Sequence, residues 1–110
     1  MVHETLAKLT DTIRQSSSLA AEQKAELLHL LHTLQSEMQT LAATHDEHAA
    51  SITRFTDVST HEAVRQQRNP QLVDLALRGL SSSVSELETS HPQLVQLVNS
   101  LCVLLSNLGV

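Results

Sequence analysis

The chain has 110 residues, of which 41% are hydrophobic, so it is long enough for one domain and too apolar to be disordered. Seven Lys and Arg residues against twelve Asp and Glu residues give a net charge of −5, which argues against binding to nucleic acid. One aromatic residue, two glycines and two prolines argue against an aromatic ligand pocket and against a turn-rich β fold. We therefore expect a single all-α domain over residues 1–110.

The first predicted helix covers about residues 1–16. Its apolar stripe consists of Val2, Leu6, Leu9 and Ile13. Three serines at residues 16–18 end it, and Ser18 is the expected N-cap of the next helix. Because the connection is short, we expect the first two helices to pack as an antiparallel hairpin.

A long helix over about residues 19–67 is predicted next, because this stretch contains neither proline nor glycine. Side chains recur along it at alternating steps of four and three, which is typical of a helix packing lengthwise on a partner helix. These positions are Leu27, Leu31, Leu34, Met38, Leu41, His45, His48, Ile52 and Phe55. A capping-box match at Ser59 and Glu62 leaves open a break near residues 56–60. We favour a continuous helix.

Two further helices are predicted at residues 70–89 and 92–107, which brings the total to three or four, depending on how the C-terminal pair is counted. Asn69-Pro70 starts the first of them, with Asn69 as N-cap, and His91-Pro92 starts the second. The last helix is apolar almost all round, which indicates a buried helix, and Gly109 is its expected C-cap.

The length of the second helix suggests assembly. About fifty residues of helix would reach about 75 Å, whereas a compact domain of this size has a radius of gyration of only about 13 Å. Either an oligomer or a broken helix resolves this conflict. We predict a helical hairpin or bundle with coiled-coil-like packing that forms a homodimer, with a tetramer as the next candidate. The predicted interface residues are Leu27, Leu31, Leu34, Met38, Leu41, Leu94, Val98, Leu101 and Leu105.

Both ends of the chain resemble a bacterial family of small proteins, domain-of-unknown-function family 4404. The matching stretches are Glu4-Thr-Leu-Ala-Lys-Leu9, Leu19-Ala-Ala-Glu-Gln-Lys-Ala-Glu-Leu-Leu28, Ser90-His-Pro-Gln-Leu94 and Leu105-Ser-Asn-Leu-Gly-Val110. Residues from about 45 to 68 look like an insertion relative to the shorter members of this family. The resemblance implies a helical fold and a bacterial origin, and it brings no activity, cofactor or catalytic residue.

Seven histidines are the unusual feature of the composition. His45 and His48 both fall on the seam, so two chains in register would bring four imidazoles together, a ligand number that suits zinc. The alternative, which we favour, is that a loose part of the seam tolerates both. Without a metal, protonation of His45 and His48 would place like charges in the seam and loosen assembly.

No enzymatic chemistry is expected. Cys102, the only cysteine, lies among apolar residues and suits packing, and the chain has neither a nucleophile elbow nor a phosphate-binding loop.

There is no secretion-signal pattern, and the apolar window at residues 94–110 is shorter than the roughly 20 residues that a membrane span needs. We expect a cytoplasmic scaffold or adaptor that binds protein and has no cofactor. The competing hypothesis is a histidine-dependent metal-binding or pH-responsive module.

Overall fold

The computed structural model describes residues 2–108, in which all regular secondary structure is helical. The α-helices are α1 (Val2–Gln15), α2 (Ala21–Ala42), α3 (Asp46–Val64), α4 (Pro70–Val84) and α5 (Pro92–Asn107), and one 3-10 turn, Ser85–Leu87, follows α4. The all-α prediction is confirmed, although the chain forms five α-helices and not three or four. The predicted bounds of the last helix, 92–107, match α5, whereas α4 begins at Pro70 as predicted but ends at Val84, before the predicted residue 89. The predicted cap at Gly109 lies outside the described residues.

The five helices pack as two rows. Helix α3 contacts each of the other four, whereas α1 contacts α2 and α3, and α4 contacts α3 and α5. Helices α2 and α5 also contact each other, so α1, α3 and α4 form one row, and α2 and α5 form the other. The molecule has a radius of gyration of 13.0 Å and measures 37 × 25 × 21 Å. Helix α3 is therefore the centre of the domain.

The predicted long helix over residues 19–67 is wrong. The chain turns at residues 43–45, and α3 then continues without a break through residues 56–60. At the turn the His45 N–H donates to the Leu41 carbonyl at 2.7 Å, and the His45 backbone then leaves the helical region with φ −136° and ψ 65°. Folding back at this point lets one chain bury its own apolar stripes. The helix length therefore gives no reason to expect an oligomer.

The same turn occurs again forty-six residues later. The stretch Leu41-Ala-Ala-Thr-His45 corresponds to Leu87-Glu-Thr-Ser-His91. At the second turn the His91 N–H donates to the Leu87 carbonyl at 2.7 Å, and His91 has φ −138° and ψ 62°. Buried residues keep this spacing in the pairs Leu34 and Leu80, Met38 and Val84, and Ile52 and Val98. The fold is thus two helix pairs, α1–α2 and α3–α4, followed by α5 in the position that starts a third.

The nine residues predicted to form an interface between chains are core residues of one chain. Each is at most 2% exposed, and all belong to one apolar cluster. They are Leu27, Leu31, Leu34, Met38 and Leu41 on α2, and Leu94, Val98, Leu101 and Leu105 on α5. The predicted coiled-coil seam between chains is therefore replaced by packing between helices of the same chain, because the turn at residues 43–45 folds the seam inward.

Residues 68 and 69, in the loop between α3 and α4, each cap a helix end. The Asn69 side chain accepts hydrogen bonds from the backbone N–H groups of Gln71 and Leu72, which confirms the predicted N-cap. The Arg68 guanidinium donates to the carbonyls of Leu108 at 2.6 Å and Ser106 at 3.2 Å, so it caps the C-terminal end of α5. The prediction for Ser18 is wrong, since Ala20 is the N-cap of α2.

Helix α3 places hydroxyl groups in the core. Thr53, Thr56, Ser59 and Thr60 are all buried. Only the Thr56 hydroxyl has a hydrogen-bond partner, the Ile52 carbonyl at 2.8 Å, and the other three hydroxyls have none. A buried polar group without a partner costs about 1–3 kcal/mol, so these three hydroxyls lower the stability of the domain.

Thr60→Val should stabilise the protein by about 1 kcal/mol, because it replaces an unpartnered buried hydroxyl with a methyl group of similar volume. Thr56→Val is the matched control: both threonines are 0% exposed on α3, but Thr56 has its hydrogen bond and should gain nothing. Urea denaturation of the three proteins measures the difference. Equal effects of the two substitutions would contradict this explanation.

Candidate functional site

One face of the molecule exposes large apolar side chains. Among the described residues five large hydrophobic side chains are exposed, and four of them lie on α3 and α4. They are Phe55, 40% exposed, Val58, 48%, Leu72, 39%, and Leu75, 65%. We call these four residues the α3–α4 face. The fifth residue, Val103 on α5, is 61% exposed and lines a different groove, beside Glu26 of α2.

Phe55 lies at the centre of this face, and its ring packs directly over Gly79. Three carbons of the ring lie within 3.1 Å of the point where a Cβ atom on residue 79 would stand, so only glycine leaves room for the ring. Helices α3 and α4 are antiparallel neighbours joined by residues 65–69. Val58, one turn beyond Phe55, therefore lies across from Leu75, one turn before Gly79. The four side chains form one patch.

Helix α3 leaves two apolar side chains outside although its buried face is partly polar. That face contains Ala49 and Ile52 together with three unpartnered hydroxyls, whereas Phe55 and Val58 lie in solvent. Exposed apolar side chains that form a contiguous patch are typical of an interaction surface.

The hairpin that carries the α3–α4 face has charges of both signs. Residues 46–84 contain four of the seven Lys and Arg residues and five of the twelve Asp and Glu residues, so this hairpin is close to neutral in an acidic protein. Arg78 pairs with Asp74 on α4, and Arg65 pairs with Glu62 at 2.8 Å at the end of α3. The hairpin that carries the face thus has nearly balanced charges, whereas the remaining chain has three basic and seven acidic residues.

A cluster of polar side chains lies where the two repeated turns meet. The His45 ring lies 5.5 Å from the His91 ring and 6.0 Å from the His48 ring, edge to face in both cases. The His48 Nε2–H donates to the Glu86 carboxylate at 3.1 Å. We call His45, His48, His91 and Glu86 the histidine cluster. Its members come from the turn before α3, the first turn of α3, the 3-10 turn and the turn before α5.

The histidines are therefore not arranged as the predicted seam required. His45 is the exposed N-cap of α3, outside any helix, and His48 is half-buried one turn later. Protonation of His45 and His48 was predicted to loosen a seam between two chains. Neither side chain has the seam position that this prediction required. Within residues 2–108, no group of three or more His, Cys, Asp or Glu side chains is placed so that it could hold a metal ion. The sequence analysis did not place His91 or Glu86 beside His45 and His48. The repeated pairs Thr44-His45 and Ser90-His91 were a signal that two similar turns exist.

Other candidate side chains have the positions that the sequence indicated. His29 and His32 are exposed on the outer side of α2, as expected. Cys102 is half-buried on α5, and burial raises the pKa of its thiol above the ordinary value, which suits packing better than nucleophilic chemistry. No helix in the described part of the chain is both long enough and apolar enough to cross a membrane.

Comparison of the chain with protein-family models, with curated proteins and with solved structures finds no significant match. The resemblance to family 4404 therefore stays a prediction.

Gly79→Ala tests the contact that positions Phe55. In a Phe55→Ala background the new methyl group meets no ring, and alanine should stabilise α4 by about 1 kcal/mol. In the wild-type background the ring has to move outward, so most of this gain should be lost. Urea denaturation of the wild type, both single variants and the double variant gives the coupling energy. A stabilisation that is the same in both backgrounds would show that the ring does not rest on Gly79.

Proposed function

We propose that the protein is a self-associating interaction module in which two copies dock through their α3–α4 faces. The observation that carries this proposal is the concentration of exposed apolar side chains on one hairpin, four of five in the described chain. The proposal keeps the scaffold or adaptor class expected from the sequence. It moves the binding surface from the leucines of α2 and α5, which are buried, to the outer side of α3 and α4.

Charge is the reason to favour a second copy as the occupant of this face. Two molecules that each carry a net charge of −5 repel one another at most orientations. The α3–α4 hairpin is the nearly neutral part, and Arg54, Asp57, Asp74 and Arg78 are exposed on the same two helices as the apolar patch. In a twofold-symmetric pair the same surface meets itself, so exposed charges of both signs can provide attractive contacts on each side.

The size of the face indicates a weak dimer. Helices of 19 and 15 residues are about 28 Å and 22 Å long, and side by side they offer roughly 500 Å² per partner. A total of about 1,000 Å² is the lower limit for a specific interface. We therefore expect a dissociation constant in the micromolar range, with Leu75, the most exposed of the four side chains, as the residue that loses most contact with water.

Sedimentation velocity over about a hundredfold range of protein concentration tests this proposal, with Leu75→Asp as the disrupting variant. Val103→Asp is its matched control, since the two side chains are 65% and 61% exposed in mid-helix positions and only Leu75 belongs to the face. The wild type and Val103→Asp should dimerise alike. Leu75→Asp should weaken association by at least about tenfold, because it buries a charge in the interface.

Either of two results would contradict self-association through this face. One is a wild-type protein that stays monomeric over the whole concentration range. The other is equal weakening by both substitutions, which would show that association depends on net charge and not on the α3–α4 face. Far-ultraviolet circular dichroism confirms that each variant keeps its helices.

A further inference from the structure

The turn between α2 and α3 leaves the helical path at His45. Ala43, two residues earlier, still has helical backbone angles, φ −65° and ψ −29°. The His45 N–H donates to the Leu41 carbonyl at 2.7 Å, and the Ala49 N–H donates to the His45 carbonyl at 3.0 Å. Both bonds join residues four apart, as in an α-helix. Rotation of the backbone at His45 would therefore bring α2 and α3 toward one continuous helix.

No residue at this turn prevents a continuous helix. Residues 19–67 contain neither glycine nor proline, and the His45 side chain makes no capping hydrogen bond to α3. A continuous helix would also pair the N–H groups of residues 46–48 with the carbonyls of residues 42–44, because each helical N–H donates to the carbonyl four residues before it. The sequence of residues 43–45 is thus compatible both with a turn and with a helix.

The second turn has the same geometry, but a proline follows it. Pro92 comes directly after His91, and the residue at this place in the first turn is Asp46. Proline has no N–H, and its ring clashes with the carbonyl four residues before it, so α4 and α5 cannot merge into one helix. Asp46 imposes no such restriction. Of the two turns, only the one at residues 43–45 can straighten.

We propose that residues 43–45 are a hinge through which two copies of the chain exchange helices. In the exchanged dimer, α2 and α3 of each chain form one helix over residues 21–64, and α3, α4 and α5 of each chain pack against α1 and α2 of the other. The contacts that join these two parts in the monomer are those of α1 with α3, α2 with α3 and α2 with α5. All three form again between the copies, so the exchanged dimer keeps the apolar core of the monomer.

Each of the two exchanged parts is held together by contacts of its own. Helices α1 and α2 contact each other, and α4 contacts both α3 and α5. The Arg68 guanidinium, in the loop between α3 and α4, donates to the Leu108 carbonyl at the end of α5 at 2.6 Å. The hydrogen bond between His48 and Glu86 also lies within this part. Opening at the hinge therefore breaks contacts between the two parts and keeps the contacts within them.

Protein concentration decides between the two forms. The closed monomer is favoured in dilute solution because two free molecules keep more translational and rotational freedom than one dimer. A high protein concentration favours the exchanged dimer by mass action. Opening has to break core contacts first, so the two forms interconvert slowly once the protein has folded. The α3–α4 face lies within one exchanged part, so this proposal does not depend on docking through that face.

Refolding from urea at high protein concentration tests the hinge, because unfolded chains then meet before each has closed on itself. Size exclusion in reducing buffer separates the products, at a dilution at which dimers docked through the α3–α4 face dissociate. The wild type should give a long-lived dimer, and its share should rise with the protein concentration during refolding. Asp46→Pro copies Pro92 into the first turn and should give only monomer.

Asp46→Ala is the matched control. It removes the same carboxylate but leaves the backbone able to form a helix, so it should give at least as much dimer as the wild type. Far-ultraviolet circular dichroism checks that the Asp46→Pro monomer keeps its helices. If it does not, the double variant Ala43→Gly/Thr44→Gly takes its place. Two glycines disfavour the continuous helix, so this variant should lower the share of dimer by at least about tenfold.

Mixing experiments identify the exchange itself. Copies of two different masses should form a long-lived mixed dimer when they are refolded together, and none when they are mixed after folding separately. The proposal is overturned if the wild type refolds only to monomer at every concentration, or if Asp46→Pro or its glycine replacement gives as much dimer as Asp46→Ala. It is also overturned if long-lived mixed dimers form from folded proteins without refolding.

Discussion

Between Leu41 and Asp46 the chain reverses direction, and the rest of the fold depends on this reversal. It turns one stretch of helical sequence into α2 and α3, which places α3 in contact with every other helix. The apolar stripe of α2 then packs inside the chain against α1, α3 and α5. No glycine or proline marks the turn. It is held by the hydrogen bond from the His45 N–H to the Leu41 carbonyl, by the Thr44–His45 side-chain contact and by two acidic residues in the first turn of α3.

The parts of the fold that were predictable are those with local chemical signals. Asn69-Pro70 and His91-Pro92 start helices where proline sets the backbone and the preceding residue leaves the helical region, so α4 and α5 begin where expected. The turn at residues 43–45 was missed because Ala43, Thr44 and His45 are each compatible with a helix, and the spacing of the seam continues across them. Periodicity shows that a stripe is buried, but it does not show whether the same chain or another chain covers it. Comparison with Ser90-His91 would have identified the turn.

The candidate sites were less predictable because both depend on contacts between distant residues. Phe55 has a seam position, yet it lies outside against Gly79 of the next helix, while threonine and serine hydroxyls share the interior of α3 with Ile52. A rule that puts every apolar side chain inside therefore misplaces Phe55 and Val58. His45 and His91 meet only because two identical turns lie side by side at one end of the bundle. The same reversal therefore buries the predicted interface, exposes the α3–α4 face and assembles the histidine cluster.

The distance between Glu22 at the start of α2 and His61 near the end of α3 tests the reversal most directly. Both side chains are exposed, so each position can be changed to cysteine and spin-labelled in a Cys102→Ser background for pulsed electron resonance. With the turn in place the two ends of the hairpin lie close together, and the distance should be well below the longest dimension of the molecule, 37 Å. A continuous helix through residues 43–45 would separate the two positions by about 58 Å, and a distance near that value would contradict the fold.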